Sequence, residues 1–162
     1  MKKIILLAIF TLFAFVACNK NVDLQQSENL QWSEITPSAM NWNNAMNYCK
    51  NLNERDHNDW HLPTISELRT LIQNCKQTET GGECKVSDNC RSYSECGKDI
   101  CDGCIDNNGK YNKLGETTYL WSSSVLSDNS YAAWGVNFKN GHIGSFTMIV
   151  DSIYRVRCVR KN

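Results

Sequence analysis

Nine cysteines in a chain of 162 residues constrain its fold more than any other feature of the sequence. Cys18 follows an apolar leader and is considered separately, which leaves an even set of eight. An even set in an exported chain predicts disulfide bonds, because the compartments outside the cytoplasm are oxidising. Two of the eight stand apart, Cys49 and Cys158, and the other six crowd together: Cys75, Cys84, Cys90, Cys96, Cys101 and Cys104.

Residues 1–17 have the pattern of a secretion signal. Two lysines precede an apolar run from Ile4 to Val16, which is shorter than the roughly 20 residues that span a bilayer as a helix. Ala17 and Cys18 then resemble the lipobox of bacterial lipoproteins, in which the cysteine thiol is diacylated before cleavage. We therefore expect a lipoprotein signal peptide and a lipid, such as palmitate, on Cys18. The alternative is an ordinary signal peptide whose cysteine is incidental.

Residues 18–29 are polar and cannot bury enough apolar surface to fold, so they predict a flexible tether between lipid and domain. The expected location is the cell envelope, with a membrane as partner through the lipid anchor. Asn19 would be the second residue of the mature protein. By resemblance to the enterobacterial sorting rule, this residue favours the outer membrane if the host is Gram-negative.

Charge and length limit what the remaining chain can do. The sequence has 17 basic and 17 acidic residues, and cleavage of the signal removes Lys2 and Lys3, which leaves 15 against 17 and a formal charge of −2. No basic patch is visible, so no nucleic-acid partner is expected. Residues 30–162 are long enough for one domain and too short for two comfortable ones.

Two amphipathic helices are predicted in the first half of this domain. The segment 36–38 (Thr-Pro-Ser) is typical of a helix start, and Thr64 with Glu67 forms a capping box for a second helix that runs to about Gln73. Cys49 lies on the apolar face of the first helix and should point into the core. That face consists of Trp42, Ala45, Met46, Cys49 and Leu52.

Residues 74–115 follow neither a helical nor a strand period, and glycine, asparagine, aspartate and cysteine dominate them. Their apolar residues are too few for a core of their own, so we interpret the segment as a disulfide-rich insertion. Cys101 and Cys104 have the spacing of a redox or zinc pair, but no βαβ pattern or second close pair accompanies them. Calcium is a weaker alternative, and neither a metal nor a cofactor is expected. The candidate calcium ligands are Asp99, Asp102, Asp106, Asn107 and Asn108.

The last third of the chain has strand patterns. Alternation from Ala132 to Phe138 predicts a strand with one buried face, and Asn140-Gly141 predicts a two-residue hairpin turn to a partner strand at 143–150. Two helices followed by a small antiparallel sheet make an α+β fold. The other predicted strands are 30–33, 118–123 and a closing strand, 154–158, that turns Cys158 inward.

Four segments in this order resemble the Lcl C-terminal domain family, to which the Fibrobacter major paralogous domain is related. The resemblance implies a C-type-lectin-like fold in extracytoplasmic proteins, often as an adhesive or ligand-binding unit, with Cys49 joined to Cys158. His61, where the family usually has arginine, and the insertion both depart from the common pattern. The segments are Trp42-x-x-Ala45-x-x-Tyr48-Cys49-x-x-Leu52, Asp59-Trp60-His61-Leu62-Pro63-Thr64-x-x-Glu67-Leu68, Leu120-Trp121-Ser122-Ser123 and Val156-Arg157-Cys158-Val159-Arg160.

The expected function is binding of an extracytoplasmic protein or glycan, with adhesion as one use of it, and without catalysis. The sequence contains no Gly-x-Ser-x-Gly or His-Glu-x-x-His motif. One alternative is a structural envelope lipoprotein without a specific ligand. Another is an enzyme of formylglycine-generating type, which would need a free reactive cysteine. The candidate contact residues are Tyr131, beside a serine- and asparagine-rich turn, and two tyrosines of the insertion, Tyr93 and Tyr111.

Overall fold

A computed structural model describes residues 29–104, 110–148 and 152–162. The expected signal peptide, Cys18, nearly all of the tether and Asp106, Asn107 and Asn108 therefore lie outside the described residues. The elements in chain order are β1 (Leu30–Trp32), α1 (Trp42–Lys50), α2 (Ile65–Arg69), α3 (Tyr93–Cys96), a 3₁₀ turn (Asp99–Cys101), β2 (Tyr119–Val125), β3 (Ala132–Asn137), β4 (His142–Thr147) and β5 (Val159–Lys161).

Helix α1 begins later than the sequence predicts. Its cap is Asn41, whose side chain accepts from the Asn44 N–H at 2.9 Å. The predicted cap, Thr36, is buried elsewhere, and its hydroxyl accepts from the Val156 N–H at 3.0 Å. The Thr36 hydroxyl, which the local pattern predicts as a helix cap, is therefore hydrogen-bonded to a residue 120 positions away. Cys49 is fully buried, as its position on the apolar face predicts.

Helix α2 begins with the predicted capping box. The Thr64 hydroxyl accepts from the Glu67 N–H at 3.2 Å, and the Glu67 carboxylate accepts from the Thr64 N–H at 2.9 Å. The helix ends at Arg69 and does not reach Gln73. The Gln73 N–H donates to the Tyr111 carbonyl at 3.0 Å and not to a preceding helical turn. The far end of the insertion thus ends the helix early.

Strands β2, β3 and β4 form an antiparallel sheet with β3 in the centre. The hairpin between β3 and β4 is longer than the predicted two-residue turn, because Asn137 pairs with His142 and leaves residues 138–141 as the loop. Gly141 has a positive φ of 74° and Asn140 does not, so the mirror-image turn predicted from these two residues does not form. Strand β4 also ends at Thr147, before the predicted boundary.

The sheet separates two apolar clusters. Leu120, Trp134 and Val136 pack in a cluster with α2 and the insertion, whereas Trp121 and Ala133 pack with α1 and the segment before β5. All six residues of β3 are therefore buried, and the prediction of a strand with one buried face is wrong. The physical reason is that the central strand has a layer of structure on each side.

The insertion, residues 74–115, belongs to the core and is not an appendage. Its apolar residues form no separate cluster in the described segments; its half-cystines, one valine and one tyrosine pack instead into the cluster that covers the sheet. Half-cystines pack as small apolar groups once their sulfurs are paired. The insertion residues in the larger apolar cluster are Cys75, Cys84, Val86, Cys96, Cys101 and Tyr111.

The two ends of the domain are held together. Strand β1 pairs antiparallel with β5, and a disulfide joins Cys49 of α1 to Cys158 with Cα atoms 5.5 Å apart. This is the pair that the family resemblance implies. Cys158 is fully buried, although residues 156–159 are all buried and do not form the alternating closing strand predicted. The described fold is α+β, with few helices and small antiparallel sheets.

Candidate binding surface

Three disulfides fix the insertion to itself. They close loops with sequence separations of 29, 17 and 6 residues, and the three loops are nested one inside another. Cys101 and Cys104 bond to different partners, so the redox pair considered for them does not form. The bonds are Cys75–Cys104, Cys84–Cys101 and Cys90–Cys96.

Arg69 joins the insertion to helix α2. Its side chain is 7% exposed and donates to the carbonyls of Thr78 at 3.0 Å, Glu79 at 2.8 Å and Val86 at 2.6 Å. A planar guanidinium can serve several carbonyls at once. Thr78 and Val86 are buried, whereas the Glu79 carbonyl also accepts from the Gly82 N–H at 2.8 Å. One helical side chain therefore fixes the path of the first part of the insertion.

Asp88 links the insertion to both α2 and the sheet. Its N–H donates to the Ser66 hydroxyl at 2.9 Å, and its carboxylate accepts from the Ser124 hydroxyl at 3.1 Å. The same Ser124 oxygen accepts from the Ile65 N–H at 2.9 Å. The insertion therefore has a defined position relative to β2 as well as to the helix.

Asp128 organises the next part of the insertion. Its carboxylate accepts from the backbone N–H groups of Tyr93 at 3.0 Å and Ser94 at 3.1 Å and from the Ser92 hydroxyl at 2.8 Å. The N–H bonds from Tyr93 and Ser94, more than the smaller opposing effect of burial, hold the pKa of Asp128 well below its usual range. A loop after β2 thus holds the first turn of α3.

Tyr93 presents its ring on the outside of this turn. It is 53% exposed, and the other face of its ring stacks on Trp134 at a centroid distance of 6.1 Å and an interplanar angle of 19°. Trp134 is fully buried, and its indole N–H donates to the Arg91 carbonyl at 3.0 Å. The exposed ring therefore rests on a fixed base.

Tyr131 lies at the other end of the loop that carries Asp128. Its N–H donates to the Asn129 side chain at 3.0 Å and its carbonyl accepts from the Met148 N–H at 2.9 Å, while the residue is 79% exposed. We call Tyr93, Asp128, Asn129 and Tyr131 the tyrosine surface. Exposed tyrosines among serine and asparagine side chains on fixed backbone are typical of surfaces that bind proteins or glycans.

Tyr111, the third tyrosine expected to contact a ligand, is only 3% exposed and packs in the larger apolar cluster. Its ring is part of the layer that covers the sheet, so the structure removes it from the candidate surface. Tyr111 is buried because the insertion packs against the sheet as part of the core. Sequence pattern alone does not distinguish a buried tyrosine from an exposed one in an aperiodic segment.

The histidines do not converge on one site. His61 lies beside Glu67, with its Nε2 at 3.2 and 3.1 Å from the two carboxylate oxygens. Burial raises the pKa of Glu67, but hydrogen bonds from His61 and Thr64 outweigh it, so the pKa is lowered. His142 lies 3.8 Å from Asp102 on another edge, and burial lowers its pKa more than that carboxylate raises it.

His61 occupies a position where the resemblance noted in the sequence leads one to expect arginine. Arginine would be positively charged at every pH, whereas histidine is charged only when protonated. Trp60, beside it, is 3% exposed and its indole N–H donates to the His57 carbonyl at 3.0 Å. Trp60 therefore packs in the smaller apolar cluster, and His61 contacts the carboxylate that caps α2.

Within the part of the chain that the structure describes, no group of three or more His, Cys, Asp or Glu side chains could hold a metal ion. No helix in those same segments has the length and apolar character needed to cross a bilayer. A cleft of about 100 Å³ lies between β1, α2 and the insertion, and its lining includes Ser66, Thr80 and Asn89.

The described residues form a disulfide-stabilised α+β domain. Residues 22–160 match the family model of the Lcl C-terminal domain, and the chain belongs to that family. Membership supports an extracellular or envelope protein. A comparison with curated proteins finds no match.

Proposed function

We propose that this protein is a lipid-anchored protein of the cell envelope whose domain binds an extracytoplasmic protein or glycan through the tyrosine surface. A role in adhesion is the simplest use of such a domain at a cell surface. Outer-membrane attachment follows if the host is Gram-negative, from the asparagine after Cys18. The lipid on Cys18 and the cleavage of residues 1–17 belong to the same proposal.

The observation that supports the proposal most strongly is that Tyr93 and Tyr131 expose their rings while hydrogen bonds fix their backbone. Tyr131 is 79% exposed and Tyr93 is 53% exposed, and hydrogen bonds fix the main chain of both. Burying such rings against a partner costs little conformational entropy, since each has only two side-chain torsions. Large aromatic side chains in this state are the usual source of binding energy at interfaces.

A C-type-lectin-like fold is the finer architectural part of the proposal. The supporting observation is the bond between Cys49 of the first helix and Cys158 beside the last strand, together with the pairing of β1 with β5. Both features bring the two ends of the domain together, and the long segment between them folds back on itself. In such an arrangement, loops far from the ends are free to carry recognition.

A formylglycine-generating enzyme is the less favoured alternative. It needs a reactive free cysteine, and the eight cysteines from Cys49 to Cys158 are all joined in disulfides. A structural envelope protein without a ligand is the other alternative. It would have no use for an exposed tyrosine pair, and the binding test separates it from our proposal.

The test is a glycan array and an envelope-protein pull-down with the purified full chain, followed by affinity measurement on the strongest partner. Tyr131→Ala should weaken binding by about tenfold or more, because a central aromatic side chain commonly contributes 2 kcal/mol or more. Ile153→Ala, which removes another side chain that is 54% exposed, is the matched control and should leave binding unchanged. Equal effects of the two variants would refute the proposed surface.

A further inference from the structure

Three aromatic side chains meet at the surface on the side of the sheet that faces helix α1. The ring centroids of Tyr119, Phe146 and Tyr154 lie 5.5, 5.2 and 4.9 Å apart in their three pairs. Tyr119 is 37% exposed, and the other two rings are partly exposed. Phe146 and Tyr154 also contact the fully buried Trp121, so the group rests on the core. We call Tyr119, Phe146 and Tyr154 the aromatic patch.

The described side chains beside the patch are apolar or polar but uncharged. Met40 and Met148 are partly exposed and pack against the same smaller apolar cluster as the patch. The hydroxyls of Thr147 and Ser152 lie 3.0 Å apart and hydrogen-bond to each other. Single exposed aromatic side chains are common on proteins, but a contiguous apolar group at the surface marks a site of contact with another protein or with a membrane.

We propose that the aromatic patch docks on the lipid bilayer to which the protein is anchored. The inference rests on the lipid anchor of the proposed function and goes beyond it, because the folded domain itself contacts the membrane. Tyrosine suits this contact, since its ring is apolar and its hydroxyl is polar. For this reason tyrosine is enriched where a bilayer meets water.

The length of chain before the domain favours a bilayer as the occupant of the patch. Only twelve residues, 18–29, separate the proposed lipid from β1, and a chain of that length spans no more than about 40 Å when fully extended. A domain of this size is roughly 35 Å across. The bilayer is therefore always within reach of the domain. A short linker gives an effective concentration on the order of millimolar, so that even weak docking is populated.

The charge of the protein determines which lipids the patch accepts. The three side chains of the patch are neutral at pH 7, and the chain from Cys18 has a formal charge of −2, from 15 basic and 17 acidic residues. Attraction to anionic lipids therefore does not drive the docking, and burial of apolar surface does. Docking should occur on neutral phosphatidylcholine and should not weaken in high salt.

Docking through the patch gives the domain a defined orientation. Tyr93 stacks on Trp134, which packs in the cluster on the insertion side of the sheet. The aromatic patch packs against the cluster that contains Trp121, on the other side. Contact of the patch with the bilayer therefore turns Tyr93 away from the membrane, where a partner in solution can reach it.

The test is acetylation of exposed tyrosines with N-acetylimidazole, read residue by residue by mass spectrometry. The sample is the lipidated mature protein on phosphatidylcholine vesicles, and the reference is the mature chain with Cys18→Ser, produced without residues 1–17 and kept free of vesicles. Acetylation of Tyr119 should fall by about fivefold on the vesicles, because the tether holds the patch near the bilayer. Tyr93, which is 53% exposed, should react equally in both samples. High salt should not reverse the protection of Tyr119.

Tyr119→Asp places a charge in the patch and should prevent docking, because a carboxylate would have to leave water. In this variant Tyr154 should react on vesicles as it does in the reference, while the lipid still carries the protein to the vesicles in flotation. Leu114→Asp is the matched control, since it puts the same charge on another apolar side chain that is 44% exposed. It should leave Tyr119 protected.

The possible failures are distinguishable. A mature protein without lipid on Cys18 would overturn the proposed anchor and this inference with it. Lipidated protein that floats with the vesicles, but whose Tyr119 reacts as in the reference, would overturn this inference alone. Protection of Tyr119 in the reference that grows with protein concentration would show that a second copy covers the patch, and would also overturn it.

Discussion

At the scale of single residues, two side chains of α2 have different roles, one towards the insertion and one at the start of the helix. Arg69 donates to three carbonyls of the insertion, and Glu67 caps the helix and holds His61. Glu67 was predicted as half of a capping box, because its partner is only three residues away. Arg69 was not predicted, because its acceptors lie in a segment without periodicity.

Arg69→Met should destabilise the domain by about 3 kcal/mol, since it leaves buried carbonyls without donors. The measurement is denaturant unfolding at neutral pH without reductant. Arg91→Met, at an exposed position, is the matched control and should change the free energy of unfolding by less than about 0.5 kcal/mol. An Arg69 variant as stable as this control would show that the three hydrogen bonds do not hold the insertion.

The lowered pKa of Glu67 predicts a dependence of stability on pH. The pKa of Glu67 in the folded protein lies below the unfolded value of 4.5. Its contribution to the free energy of unfolding is therefore complete above pH 4.5 and is lost as the pH falls through the pKa of the folded state. Glu67→Gln should therefore be less stable than the wild type at pH 6, by about 1 kcal/mol, and the gap should narrow towards pH 3. Unfolding curves across this range check it, with the exposed Glu83→Gln as control. A gap that widens on acidification would contradict the assignment.

At the scale of elements, α3 has only four residues and two caps. The local cap is Ser92, whose hydroxyl accepts from the Glu95 N–H at 3.2 Å, and the second comes from a distant loop. Asp128 supplies this second cap from the loop after β2, by accepting from the N–H groups of Tyr93 and Ser94. The tyrosine surface therefore consists of two segments far apart in sequence, joined by one carboxylate. No local sequence signal identifies such a cap, because its donor and acceptor are about 35 residues apart.

Asp128→Ala should loosen α3 without unfolding the sheet. We expect faster hydrogen exchange at the amides of Tyr93 and Ser94, which lose their acceptor, and unchanged protection at the amides of β3. Exchange measured by NMR on the same sample gives both readings. Equal protection of Tyr93 in the variant and the wild type would contradict the role of this carboxylate.

The sequence predicts elements well where their determinants are local. The Thr64–Glu67 capping box, the inward position of Cys49 and the opening strand all follow from short-range patterns and agree with the structure. Predictions fail where a distant segment intervenes. The Thr36 hydroxyl accepts from the Val156 N–H and therefore does not cap a helix. The insertion covers the second face of β3, and its half-cystines follow no helical or strand period in the sequence.

At the scale of the whole molecule, the four disulfides differ in the length of chain that they close and therefore in how much they should stabilise the fold. The Cys49–Cys158 bond spans 109 residues and clamps the chain ends, whereas Cys90–Cys96 spans 6 and fixes only a local turn. In the chain-entropy model, the contribution of a crosslink grows with the logarithm of the loop that it closes. The long bond should therefore matter more to stability than the short one.

Replacing both members of the Cys49–Cys158 pair with alanine should cost about 4 to 5 kcal/mol, and the same change at Cys90–Cys96 about 2 kcal/mol. Denaturant unfolding of the two double variants without reductant makes the comparison. Each serves as the other's control, because each removes one crosslink and two sulfur atoms. A larger loss of unfolding free energy in the Cys90–Cys96 variant than in the Cys49–Cys158 variant would contradict this expectation.

The central claim is that the insertion is a disulfide-fixed layer of the domain, and a disulfide map of the native protein tests it most directly. Peptide mapping by mass spectrometry, without prior reduction, should find no free thiol among the eight cysteines from Cys49 to Cys158. It should find the pairs Cys49–Cys158, Cys75–Cys104, Cys84–Cys101 and Cys90–Cys96. Any other pairing within 75–104, or a reduced Cys49 or Cys158, would contradict the account.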